Sequence, residues 1–247
     1  MDVERLSWDS DFFGFEVGRV IVSKDDAPDA EELRRAIEGL NVELAYVFLP
    51  GEADAGQECH RQVLVSMSGK LVDHKVTLGK RLGPRADEPT DVVSVTSLTP
   101  EIESLAYGSG WCSRFAAEDR LRPFFRSLYK RWLQNDFRDG KVFVRLSGEG
   151  SPIGLTTVSV RNGIGRIGLV SVDAGHCRRG VASALLCAAE GWLLRQGVRE
   201  CRVVTQYGNT AGMALYSRCG YEVLARQEVW HVWRAVPHDS RLFSRFQ

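Results

Sequence analysis

The spacing of hydrophobic positions changes several times along this chain, and each change marks an element. Residues 17–22 and 44–49 are apolar runs of strand length, with a helical stretch near residues 29–40 between them. Residues 71–78 alternate apolar and polar side chains, the pattern of a half-buried strand. Further on, Thr99 is placed to cap a short helix that begins at Pro100. A longer helix is predicted over 121–132, where Phe124, Phe125, Leu128 and Trp132 recur at spacings of three and four. Strands follow at 141–147 and 153–160, then Arg161-Asn162-Gly163, in which Asn-Gly signals a hairpin turn, then a strand at 166–172. A helix at 181–196 ends at Gly197, a strand occupies 202–205, a helix at 211–219 closes on Gly220, and a long strand runs over 221–233. Helices dispersed among strands, with a central strand–turn–helix unit, make this a mixed α/β fold.

The stretch from Gly83 to Thr90 is rich in Pro and charge and has little to bury, which predicts a boundary. The expected organisation is an N-terminal α/β domain over 1–83, a linker over 84–91, a second domain over 92–235 and a tail over 236–247 without periodicity. A faint echo links the two parts. Strand 45–50, helix 57–65, Gly69 and strand 71–78 repeat the order of strand 201–205, helix 211–219, Gly220 and strand 221–233. The N-terminal part is therefore expected to be a degenerate half-copy of the second, or two βαβ-like stretches alike by chance.

With 247 residues, 44% of them hydrophobic, the chain can build one large core or two modest ones. Lys plus Arg and Asp plus Glu are each 32, so no global field draws it to nucleic acid or to an anionic membrane. A nucleotide ligand must then be held by local geometry. No apolar run approaches the ~20 residues of a membrane span, and the acidic start Met1-Asp2-Val3-Glu4-Arg5 is not a signal-peptide core. A cytoplasmic location is expected. The six cysteines form no CxxC pair and read as reduced, mostly buried thiols, and the five histidines show no metal-ligand spacing, so no metal is expected.

Two segments carry the chemistry. From Gly168 to Leu186 an apolar strand passes through a glycine-containing turn into a helix whose first turn is Gly180, Val181 and Ala182. Small residues there leave backbone N–H groups uncovered at a positive dipole end, an anion site suited to a diphosphate, and Arg178 and Arg179 add local charge. An ordinary turn with two solvated arginines fits the same residues. The segment is neither GxGxxG nor GxxxxGK[ST]. In the second segment Asn209 can cap a helix, and Tyr216 follows seven residues later, about two turns at 3.6 residues each, so both can face one cleft. A tyrosine with a reference pKa of about 10 can protonate a leaving thiolate of about 8.5. A capping Asn and a packing Tyr account for the same positions.

In this order and separation the two segments resemble the acetyl-CoA motif and the following motif of the GNAT (GCN5-related N-acetyltransferase) superfamily. The first is similar to V-x-x-x-x-[QR]-x-x-G-x-[GA], with Cys177 where Gln or Arg is usual, and the second to N-x-x-[AG]-x-x-L-Y-x-x-x-G-[FY]. The likeness spans residues 92–233. It implies a GNAT fold and an acetyl-CoA-dependent N-acetyltransferase, with acetyl-CoA in a V-shaped opening between strands 166–172 and 202–205. Leu169, Val170, Ser171, Val172, Arg178, Arg179, Gly180, Val181, Ala182 and Asn209 would hold the cofactor, and Tyr216 would be the catalytic acid. Asp173, Glu118 and Asp119 are candidate bases, beside a water chain. A narrower resemblance, carried by residues 6–14, Ser113-Arg114-Phe115 and residues 205–211, is to acetyltransferases acting on a dTDP-linked 4-amino-4,6-dideoxy sugar. It implies a nucleotide-linked amino sugar as small-molecule substrate, with Ser113, Arg114 and Phe115 as acceptor-binding residues. Trp8, Phe12 and Phe13 would line that pocket or form a core. A protein or peptide amine, another small amine, or an inactive acyl-CoA-binding protein are the alternatives. Edge strands near the C-terminus leave a homodimer open.

Overall fold

Alternation, caps and turns set the elements of the first part of the chain. Strand β1 (Asp2–Arg5) pairs antiparallel with β2 (Val17–Ile21), and α1 (Ser7–Phe13) between them ends at Gly14, whose φ of +75° suits a residue without a side chain. β2 then crosses over through α2 (Ala30–Gly39) to the parallel strand β3 (Leu44–Pro50). Asp29 starts α2 with a reciprocal box: its carboxylate accepts from the Glu32 N–H, and Glu32 accepts from the Asp29 N–H. Helix α3 (Ala55–Ser66) and strand β4 (Lys70–Arg81) follow. The structure, a computed structural model, describes residues 1–24, 28–51, 55–83 and 89–234.

After β5 (Val92–Ser94) come α4 (Pro100–Gly108), α5 (Arg114–Ala117), a 3-10 turn over Arg122–Phe124 and α6 (Phe125–Asp139). The predicted helix over 121–132 is thus shifted. Pro123 sits in the tighter turn, and the apolar face continues through Leu133 before Gly140 ends it. Strands β6 (Lys141–Leu146), β7 (Pro152–Arg161) and β8 (Ile164–Val172) form an antiparallel meander with β5. Asn162 and Gly163 turn β7 into β8 with φ of 51° and 75°, as an Asn-Gly hairpin requires. Then come α7 (Val181–Arg195), β9 (Glu200–Gln206), α8 (Thr210–Arg218) and β10 (Glu222–Trp233). Gly197 and Gly220, both left-handed, end α7 and α8 with paired returns: Val198 N–H to the Leu193 carbonyl and Tyr221 N–H to that of Tyr216.

The chain divides into two units, one of Met1–Asp73 with the segment from Gln227 on, the other of His74–Arg226. The first has a core of Val20, Leu33, Val47, Leu64 and Trp230, with β3 paired to residues 227–233 of β10. In the second, β8 runs parallel to β9, which pairs antiparallel with residues 75–81 of β4. Leu185, Leu186, Ala189 and Leu193 of α7 pack with Val158, Ile167 and Val203 of the sheet. Both unit borders fall inside strands, since β4 and β10 each begin in one unit and finish in the other. The expected divisions at 84–91 and 236–247 fall largely on residues 84–88 and 235–247, outside the described residues. In chain order a parallel strand pair, a helix and a further strand recur, β2–β3–α3–β4 and β8–β9–α8–β10, and the last strand of each set is antiparallel to a strand of the other, residues 75–81 of β4 to β9 and residues 227–233 of β10 to β3.

All six cysteines are free, but the expectation of mostly buried thiols is corrected. Only Cys201 is buried, and Cys59, Cys112 and Cys177 are exposed, being carried on helix surfaces and turns. No helix among the described residues is long and apolar enough to cross a membrane.

Candidate active site

The site grows from an irregularity in β8. β8 and β9 are paired only at Gly165–Cys201, Arg166–Arg202 and Ile167–Val203, although β8 runs on to Val172 and β9 to Gln206. The strands therefore part after Ile167. At the same point the β7–β8 register slips, from Val158 opposite Ile167 to Thr156 opposite Val170, so that Gly168 and Leu169 together face Thr157. The Leu169 N–H donates to Thr157 Oγ1 at 2.8 Å, and the Asp173 N–H donates to the Ile153 carbonyl at 2.9 Å. Both point toward β7. Successive N–H groups of a strand alternate between its edges, so the N–H groups of Val170 and Val172 point the other way, into the opening.

A cleft of about 510 Å³ occupies this opening. Val170, Ser171 and Val172 line it from β8, Arg178, Gly180, Val181 and Ala182 from the α7 entry, and Asn209 and Tyr216 from α8. Leu169 and Arg179 do not line it; Leu169 is buried with its N–H committed to Thr157.

The α7 entry is shaped by two left-handed residues, Arg178 (φ 62°) and Gly180 (φ 77°). Gly180 is the N-cap and offers no side chain, so the first N–H groups of α7 are not capped by one. Together with the dipole of a 15-residue helix they form a place for a phosphate anion. His176 lines the same wall, its Nδ1 2.9 Å from Asp173 Oδ1. Cys177, at the position where the motif usually carries Gln or Arg, also lines the cleft.

Asn209 caps α8: its Oδ1 accepts from the Gly212 N–H at 3.0 Å and its Nδ2 donates to Thr205 Oγ1 at 3.1 Å. Gly212 is required for this close fit, because a Cβ there would lie 2.6 Å from Asn209 Nδ2. Tyr216 lines the cleft, yet it is 5% exposed and packs edge-on against Tyr221 at 5.9 Å. Burial, followed by the neighbouring Cys219 and Cys201, pushes its hydroxyl well above the ordinary tyrosine value. Tyr216 therefore keeps its proton at any working pH.

None of the three candidate carboxylates lines the cleft. Asp173 caps the 3-10 turn over Ala174–His176, and its hydrogen bond with His176, then that from the Gly175 N–H, holds its pKa below the usual value, which makes it a weaker base. Asp119 is paired with Arg122 at 2.6 Å, and Glu118 is buried at the end of α5.

Ser113, Arg114 and Phe115 also lie off the cleft lining. Phe115 is buried, with Trp132 edge-on at 5.5 Å and the Arg114 guanidinium 4.7 Å from its ring centre. The cleft is lined instead by Trp111 and Cys112 just before them, and Trp111 is 78% exposed. Arg218 on α8 joins the lining too; the signal for it is its spacing of four from Ala214 and seven from Ala211, which line the cleft on the same face. Trp8, Phe12 and Phe13 form an aromatic stack in the first unit, with Trp8 and Phe12 parallel at 5.3 Å.

Comparison with known proteins bears directly on this arrangement. Residues 111–221 match the model of the acetyltransferase (GNAT) family. The chain is similar to dTDP-fucosamine acetyltransferase of Escherichia coli O6:H1, with 27% identity over 232 residues, 90% of this chain and 93% of that one. A GCN5-related N-acetyltransferase from Sphaerobacter thermophilus has the same fold, with a TM-score of 0.51 and 18% identity; the match covers 78% of this chain but 61% of that one. A tandem GNAT protein from the clavulanic acid biosynthesis pathway superposes with a TM-score of 0.53 and 16% identity over 90% of this chain and 76% of the other.

Proposed function

We propose that this N-acetyltransferase, whose residues 111–221 match the acetyltransferase (GNAT) family model, moves the acetyl group of acetyl-CoA directly to the amine of a nucleotide-linked amino sugar, of the dTDP-4-amino-4,6-dideoxyhexose type. The observation that carries the cofactor half of this reading is the parting of β8 and β9 after Ile167, with the Val170 and Val172 N–H groups turned into the gap. Acetyl-CoA fits the residues present. Its diphosphate suits the side-chain-free start of α7 beside Arg178 and His176, and its pantetheine arm suits the exposed β8 edge. It supplies an activated acetyl thioester.

The chain's own groups then have distinct tasks. The Val170 N–H donates to the thioester carbonyl oxygen and strengthens its hold as negative charge develops there, an effect often worth about 3–4 kcal/mol. Tyr216 gives its proton to the departing thiolate. With no candidate carboxylate on the lining, water relays the amine proton outward. No cysteine is needed as a nucleophile, and Cys177 belongs to the diphosphate end.

The acceptor half rests on similarity to the Escherichia coli enzyme across nine-tenths of both chains, which includes the N-terminal unit. Trp111, exposed on the cleft wall, has the flat apolar face to stack on a base or a sugar ring. The N-terminal unit is read as a degenerate half-copy of the second, supported by the shared chain order of parallel pair, helix and strand. Its helix α3 has neither the Asn nor the Tyr of α8, so it has no catalytic part. The test is thiol release from acetyl-CoA against a panel of dTDP- and UDP-linked amino sugars. Turnover of a dTDP-linked 4-amino sugar is expected, whereas silence across the panel by protein that still binds acetyl-CoA would move the acceptor to peptides or other small amines.

A further inference from the structure

The bulge that decides which N–H groups face the cleft is itself held by side chains. Thr157 Oγ1 accepts the Leu169 N–H and donates its own proton to Asp136 Oδ2 on α6. Gly168 makes room for this, because a Cβ there would sit 2.4 Å from Thr157 Oγ1 and 2.7 Å from Asp136 Oδ2. A ladder carbonyl would normally take the Leu169 N–H; here a hydroxyl takes it, and the hydroxyl is oriented by a carboxylate. The register depends on that substitution. With Gly168 and Leu169 both opposite Thr157, the N–H groups of 170 and 172 point away from β7. Without the extra residue the alternation inverts, and 169 and 171 would face the opening instead.

We propose that Asp136 and Thr157 are positioning residues for acetyl transfer, a latch between α6 and the β8 bulge that selects the Val170 N–H as the donor to the thioester carbonyl. Neither residue lines the cleft, so the latch acts only through Leu169 and the register. Asp136 is the acceptor in the pair. Burial raises its pKa above the usual carboxylate value, and the Thr157 hydrogen bond and the charge of Arg161 offset part of that rise. The inference rests on the reading that acetyl-CoA lies along the β8 edge.

The test uses acetyl-CoA labelled with carbon-13 at the carbonyl, and CoA, which has none. In the wild-type protein the bound carbonyl stretch is expected below its value in water. In Thr157→Val it is expected to return toward that value while CoA affinity stays within about twofold, since the diphosphate site is elsewhere. Thr157→Ser, which keeps the hydroxyl, should restore the shift. Asp136→Ala should behave as Thr157→Val, and the double variant should be no worse than either single one, as expected of two parts of one unit. A Thr157→Val protein that binds CoA normally and keeps the full carbonyl shift overturns the latch. Wild-type protein that fails to bind acetyl-CoA overturns the cofactor reading underneath it, and the inference with it. CoA affinity that falls in step with the carbonyl shift in every variant, Thr157→Ser included, reduces the pair to ordinary structural residues and also overturns the proposal.

Discussion

Replacing Tyr216 with Phe isolates one hydroxyl. The ring is 5% exposed and packs on Tyr221, and Phe keeps both the burial and that contact. The change in stability should therefore stay within about 1 kcal/mol, the net worth of one ordinary hydrogen bond. The kinetic effect is bounded from two sides. General acids contribute about 10²–10⁴-fold when well matched to their task. Burial here lifts the Tyr216 hydroxyl far above the thiol it is proposed to protonate, whose ordinary value is about 8.5, so the transfer is uphill unless the thiolate is also held out of water. The effect is then at or below the bottom of that range: kcat should fall by about 10- to 100-fold, or ~1.4–2.7 kcal/mol, with acetyl-CoA affinity nearly unchanged. Thiol release measured with acetyl-CoA and with an acetyl thioester of a more acidic aryl thiol adds a second reading. An aryl thiolate leaves without protonation, so the defect should shrink to within about threefold for that substrate. Turnover unaltered in Tyr216→Phe, or an equal defect with both thioesters, would remove the acid role from Tyr216.

Two further changes test the scaffold. Gly180→Ala meets no atom within 4 Å of the added Cβ, so its cost is the left-handed backbone alone, about 1–2 kcal/mol; a lower Tm and weaker CoA binding by calorimetry are expected, and Gly180→Asn, which tolerates that conformation, should recover most of both. The Cys201 thiol, pushed up by burial from 9.0 to about 11, stays neutral in the folded chain after it would ionise in the unfolded one, so its contribution is complete below pH 9 and is lost as pH rises toward 11. That amounts to at most about 2–3 kcal/mol, and Cys201→Ala should show a shallower fall of Tm between those pH values than the wild-type protein; an identical slope would refute the assignment.

Much of the second unit was legible because its signals are local. Asn162-Gly163, Gly197 and Gly220 each require a backbone conformation that few residues adopt, and each ended or turned its element as its chemistry dictates. The elements that escaped were those without periodicity. All of β1 is exposed, so its strand character comes from pairing with β2, which no pattern within residues 2–5 records. The unit borders escaped for a related reason. The Pro- and charge-rich break near residue 84 marks a connection between elements, whereas the borders lie inside β4 and β10, where strand pairing changes unit without any change in composition.

The site divides along the same line. Residues set by spacing on one element, such as Asn209 and Tyr216, or Gly180 to Ala182, share the cleft as their helices demand. Residues placed by register or by partners do not follow from spacing. Leu169 and Val170 look equivalent in the sequence, and a single bulge gives one N–H to Thr157 and turns the other to the cleft. Asp173 looks like a base until His176 and the Gly175 N–H claim its carboxylate. Phe115 looks like a stacking platform until Trp132 covers it, and Trp111, four residues earlier, is the ring left at the cleft. The acidity of Tyr216 is the sharpest case. From its reference value it is nearly matched to a thiol, but the burial that positions it also makes it a poorer acid. Its usefulness then depends on the thiolate being as poorly solvated as the tyrosine, which the parting of β8 from β9 alone cannot ensure. Closure of the cleft by bound acetyl-CoA is what would equalise the two, so proton transfer and cofactor seating are expected to be one coupled event.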